Sequence, residues 1–86
     1  MGIIHSLEGF AGLAAAQARP QRALRLAGAA ASLREAIGAP LSPTEHARLE
    51  HRLEAARQTL SEAVGTELWA EGRAMTLEQA STYALG

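Results

Sequence analysis

The sequence contains no cysteine, lysine, aspartate or asparagine, and its only aromatic rings are Phe10, Trp69 and Tyr83. Without cysteine there is no disulfide and no thiolate metal site. Without aspartate, the adjacent His5 and Ser6 have nothing of that kind to orient them, so a Ser-His-Asp triad is out of reach. A net charge of −1 gives no general electrostatic attraction for nucleic acid or an anionic membrane. The longest uncharged run, Gly9 to Ala18, is too short to span a bilayer, as is the apolar run Leu26 to Leu33. No succession of basic, apolar and small residues marks a signal peptide. The opening MGIIHS matches the short N-myristoylation pattern at Gly2 and Ser6. The composition, rich in Ala, Arg, Gly and Leu, is that of a GC-rich bacterial coding sequence, where that modification is not expected. The expected location is the cytoplasm.

What the chain has is alanine, 20 residues of 86, and leucine, 12 residues. Alanine favours helix strongly but contributes little buried area. A chain of this length buries only about 60–65% of the surface that its unfolded form exposes, so its core is small. Such a domain gains from stacking on further helices or on a second copy. The eight cations are all arginine and the nine anions all glutamate.

The pattern is helical throughout. A first helix is predicted over Ile3 to Ala18, with Ile3, Ile4, Leu7, Phe10, Ala11, Ala14 and Ala18 on one arc. His5, Glu8, Gly12 and Ala16 fall on the other side. Arg19-Pro20 breaks this helix and starts a second, Pro20 to Ile37, stopped by Gly38 and Pro40. Leu26, Leu33 and Ile37 form a bulky edge on it, and Ala23, Ala27, Ala30 and Ala31 a smooth one. Arg34 projects into the smooth edge. The third helix has the firmest start, with Ser42 as N-cap, Pro43 at the first position and Glu45 completing a capping box. Its stripe of Leu49, Leu53, Ala56, Leu60, Ala63 and Val64 carries it to Val64. Glu45–Arg48 and Glu54–Arg57 are spaced for surface pairing. Gly65-Thr66 ends it, and short helices are expected over Thr66 to Arg73 and Leu77 to Leu85. Thr66 caps the first of these, and Thr76 with Gln79 caps the second.

Five residues stand out as candidates for interaction. Arg34, on an apolar arc, needs a carboxylate or carbonyl partner, from a glutamate of the chain or from a ligand. Arg19, Arg22 and Arg25 cluster at the start of the second helix, where the helix dipole is also positive, and form a candidate anion or acidic-partner strip. Trp69 is either a lid over the open end of the bundle or an interface anchor. His46 and Glu50 share a helical face, but His51 points about 140° away and the H-E-x-x-H spacing is absent, so no metal site is read there. No catalytic residue, cofactor or small-molecule substrate is assigned, and an enzyme is not expected. A helix-turn-helix reading of the first two helices lacks base-reading polar residues and basic charge, so nucleic acid is not an expected partner.

Leu7, Phe10, Ala11, Ala14, Ala23, Ala27 and Ala30 occupy the large and small positions of a tetratricopeptide repeat, although most aromatics of that motif are alanine here. RALRLAGAAASLREAIGAPLSPTE, followed by LWAEGRAMTLEQASTYAL, resembles the C-terminal region of large bacterial LuxR-type regulators and predicted signal-transducing ATPases. The resemblance runs from about Leu7 to Leu85. It implies an all-α fold: a tetratricopeptide-like hairpin over 1–38, then capping helices over 42–86, one long and amphipathic and one or two short. It also implies a non-catalytic protein-binding module, the terminal part of a helical repeat array in a transcriptional or signalling regulator. The alternative is a small dimeric DNA- or ligand-binding regulator. No ATPase motif and no second clear repeat are present, and fewer than three repeats seldom stand alone. A homodimer is therefore expected, with its contact on the first helix or on the alanine edge of the second.

Overall fold

Pro20 opens and Gly38 closes the helix around which the others pack. In the computed structural model, which describes residues 2–85, the helices are α1 (Gly2–Ala16), α2 (Pro20–Ile37), α3 (Pro43–Thr59), α4 (Glu62–Arg73) and α5 (Leu77–Leu85). The described residues contain no strand, and the fold is all-α. The two end residues of the expected 1–86 domain, Met1 and Gly86, lie outside the described residues. Among the described residues no helix is long and apolar enough to cross a membrane.

Each helix end has a local cause. Gly38 adopts the left-handed conformation (φ 66°), and the N–H groups of Gly38 and Ala39 bond back to the carbonyls of Glu35 and Arg34. This is a Schellman stop, for which glycine is the natural residue. The same pair of bonds ends α1, from Ala18 to Ala15 and from Arg19 to Ala14, two residues before the expected end. There the left-handed position is held by Ala18 (φ 58°). Ser42 and Glu45 form the expected capping box at α3. The Ser42 N–H that Glu45 accepts holds this carboxyl below its ordinary range. Thr76 and Gln79 form the second box, at α5.

The third helix is not continuous to Val64. It stops at Thr59, Leu60 turns the chain, and Ser61 caps α4 by accepting the N–H of Val64. Thr66, expected as a cap, lies inside α4. The break lets α4 turn back across α2, which a straight α3 would not allow.

α2 is the centre. Ala23, Leu24, Leu26, Ala27, Gly28, Ala29 and Ala30 are all buried, so the helix is enclosed on nearly every side. α1 runs antiparallel beside it, with Glu8 hydrogen-bonded to Arg34. α4 crosses it at closer range. A Cβ on Gly28 would strike the carbonyl oxygen of Trp69, and one on Gly72 the carbonyl oxygen of Arg25. These two glycines let backbone meet backbone. The rest of the core comes from Leu7, Ala11 and Ala14 of α1, Leu53 and Ala56 of α3, Leu68 of α4, and Ala80 and Ala84 of α5.

Two expectations about faces need correction. The alanine edge of α2 is mostly covered within the chain: Ala23, Ala27 and Ala30 are fully buried and Ala31 is half-buried in the wall of a recess, so the edge offers no continuous contact to a second copy. α1 is rotated from the hydrophobic-arc prediction: Glu8 and Gly12 face inward, and Ile3 and Phe10 face out. Glu8 meets Arg34 there, and Gly12 is covered by the guanidinium of the exposed Arg52 of α3, which lies where a side chain on residue 12 would sit.

Gly72→Ala is expected to lower stability by about 2–3 kcal/mol, because neither backbone can yield without separating the helices. Thermal unfolding followed by circular dichroism should show a drop of several degrees, and an unchanged midpoint would refute the close crossing. Ala18→Gly should do the opposite. Relieving the left-handed alanine is worth about 1 kcal/mol, read as a higher denaturant midpoint with an unchanged slope.

Candidate functional site

Arg34 leaves the last turn of α2 and points toward α1. Its Nε and Nη2 donate to the two carboxylate oxygens of Glu8, at 2.5 and 2.8 Å, and its Nη1 donates to the Ala39 carbonyl at 3.0 Å. The side chains are 12% and 10% exposed, respectively, so the pair is largely out of water. Fork-to-fork geometry is the strongest form of this contact. The Glu8 carboxylate holds the guanidinium pKa above its ordinary value, against the effect of burial. The third donor closes the Schellman turn, so one side chain fastens α1, α2 and the α2–α3 connection together.

Beside this pair lies a recess of about 220 Å³, walled by Ala31, Arg34, His46, Leu49, Glu50 and Trp69. Its floor is apolar, and its rim is ionic but balanced. Glu50 accepts from Arg57 at 3.2 and 3.3 Å, and the Arg57 guanidinium lies 5.2 Å from the centre of the Trp69 ring. Arg57 thus pairs with Glu50, two turns away, rather than with Glu54 as its spacing suggested. Glu35 accepts two bonds from Arg73, at 2.7 and 2.9 Å, which holds its carboxyl below the ordinary range and ties α2 to α4. The recess therefore has an apolar floor, neutralised walls and His46 at its mouth. It presents no nucleophile paired with a base, and among the described residues no group of three or more His, Cys, Asp or Glu is placed to hold a metal ion.

Of the five residues singled out from the sequence, Arg34 and Trp69 meet in this recess. Trp69 is half-buried in its wall rather than laid over an open end of the bundle. The arginines at the start of α2 do not form one strip. Arg22 donates to the Ala84 carbonyl at 2.6 Å and lies 5.0 Å from the centre of the Tyr83 ring. Arg25 pairs with Glu71 at 2.8 Å and donates to the Tyr83 hydroxyl at 3.4 Å, contacts that hold its pKa above the ordinary value. Both serve to hold α4 and α5 on α2. Arg19, outside the helix as its N-cap residue, stays exposed.

Sequence reasoning missed Glu8, assigning it to the solvent side. Register alone did not point to it: a hairpin turning near Ala18 sets position 8 across from about position 28, and the long Arg34 side chain reaches back toward the turn to meet it. A lone arginine on one inner face calls for a lone carboxylate on the other.

Compared with protein-family models, curated proteins and solved structures, the chain matches none.

Glu8→Ala should cost about 3 kcal/mol in urea denaturation, since it strands a guanidinium with little access to water. Replacing both Glu8 and Arg34 by methionine should return stability to within about 1 kcal/mol of the parent. Equal losses in the single and double variants would show that the pair is not what fixes the hairpin.

Proposed function

We propose that this chain is a non-catalytic protein–protein interaction module that binds through the outer face of α1, first of all to a second copy of itself. The observation that carries this reading is a contrast between inside and outside. No buried side-chain nitrogen or oxygen among the described residues lacks a partner. Outside, α1 leaves Ile3, Phe10 and Leu13 at 42%, 38% and 49% exposure, and Leu85 of α5 is 84% exposed. Between α1 and α5 lies a groove of about 300 Å³ floored by Leu7 and Ala84. A continuous apolar surface on so small a domain is the usual mark of an interaction site.

In its wider setting the chain is a tetratricopeptide-like hairpin with capping helices, the terminal piece of a helical repeat array in a cytoplasmic bacterial transcriptional or signalling regulator. The sequence resemblance supports this setting. So does the outward face of α1, the first helix, which is where a preceding repeat would stack. A repeat unit leaves such a face for its neighbour, and a second copy supplies a substitute.

Sedimentation velocity at micromolar concentration should give twice the chain mass of 9.0 kDa. Phe10→Glu combined with Leu13→Glu should return the monomer with the unfolding temperature held. A parent protein that stays monomeric sinks the self-association. A complex with generic duplex DNA that weakens steeply with salt would instead favour the dimeric DNA-binding regulator.

A further inference from the structure

The flank of α1 that faces α3 has a different character. A groove of about 250 Å³ runs there, with Gly9, Leu41 and Leu49 in its wall and His5, Arg48 and Arg52 at its rim. Arg22, Arg25, Arg34, Arg57 and Arg73 each have a hydrogen-bond partner within the chain. Arg48 and Arg52 have none among the described residues, and they stand one helical turn apart on the exposed side of α3. Of the two carboxylates bordering the groove, Glu8 is neutralised within the chain and Glu45 keeps its charge. Glu8 gives both oxygens to Arg34, and Glu45 accepts the Ser42 N–H in the capping box. With Glu8 neutralised by Arg34 and Glu45 still charged, Arg48 and Arg52 leave the groove with a formal excess of one positive charge, on a chain whose formal net charge is −1.

A second observation comes from Gly9. Glycine weakens a helix interior, and it is usually kept where something must approach closely. A Cβ on Gly12, Gly28 or Gly72 would collide with an atom of this chain, but one on Gly9 would meet nothing within 4 Å. No contact inside the molecule accounts for glycine at this position. It leaves bare backbone in the wall of the groove.

We infer that the α1–α3 groove docks an acidic segment of a partner protein, with two carboxylates one helical turn apart on Arg48 and Arg52. An apolar side chain between them would lie on Leu41 and Leu49 against the open backbone of Gly9. Residues four apart on a helix have Cβ atoms about 5–6 Å apart, so a glutamate pair on a partner helix matches the arginine pair on α3. The apolar wall and the small number of cations fit such a segment better than a nucleic acid backbone, which needs a longer basic track. This inference rests on the chain being a protein-interaction module, but it uses a surface separate from the outer face of α1.

The test is fluorescence anisotropy at about 50 mM salt, where surface charge is least screened. The probe is a labelled helical peptide with glutamates four residues apart around a leucine. Its controls are the glutamine counterpart and a short DNA duplex. The glutamate peptide should bind about tenfold or more tightly than the glutamine one, and the Arg48→Glu, Arg52→Glu double variant should lose that preference. Gly9→Met should weaken binding several-fold while the unfolding temperature is held or raised, which separates a blocked groove from a damaged fold. The Phe10→Glu, Leu13→Glu variant should still bind, so failure of self-association and failure of this site are read independently. Absence of peptide binding, binding indifferent to Arg48, Arg52 and Gly9, or preferential binding of the duplex would each overturn the inference.

Discussion

Two helices can rest backbone against backbone only where neither carries a side chain at the contact, and Gly28 and Gly72 meet that condition on α2 and α4. Much of the architecture depends on that contact. With α4 so close, α2 is enclosed along its middle, and the residues that surround it can be small. An alanine-rich chain then fills its interior by bringing helices together rather than by interposing large side chains, which offsets its scarcity of aromatic rings. The break at Leu60 and Ser61 belongs to the same constraint, because it brings α4 back over α2.

The rotation of α1 is set by a polar contact. Glu8 turns inward to meet Arg34, and Gly12 turns with it to give room to Arg52. With that side of the helix inside, Ile3, Phe10 and Leu13 have no place in the core. The ion pair and the apolar outer surface are therefore two results of one helical orientation. Replacing the pair with apolar residues would remove the polar restraint on that orientation, which is the best-attested use of a buried ionic contact.

The features legible in the sequence were the local ones. Ser42 with Glu45, Thr76 with Gln79, and Gly38 before Pro40 each fix a helix end through residues within a few positions of one another. Arg34 was legible as a charge needing a partner, because it interrupts an otherwise smooth edge. What escaped was decided by distant residues. The Leu60, Ala63 and Val64 spacing continues the period of α3, so Ser61 carried no sign of a break without the competing attraction of α2 for α4. Hydrophobic periodicity also placed Phe10 inside and Glu8 outside, because a projection of one helix cannot see an arginine on another. The recess wall at Trp69 depends on both and could not be read in advance.

α5 differs from the other helices in how it is held. It contributes only Ala80 and Ala84 as buried residues, and its far end is gripped by Arg22 at the Ala84 carbonyl and by arginines around Tyr83. These are solvent-accessible polar fastenings rather than interlocked apolar surface. Stability is therefore unevenly distributed, with α2 protected to the global limit and α5 the first segment to open and exchange its amides. The cover at that end of the molecule is a latch of polar and charged contacts, more open to screening by salt than the packed crossing of α2 and α4.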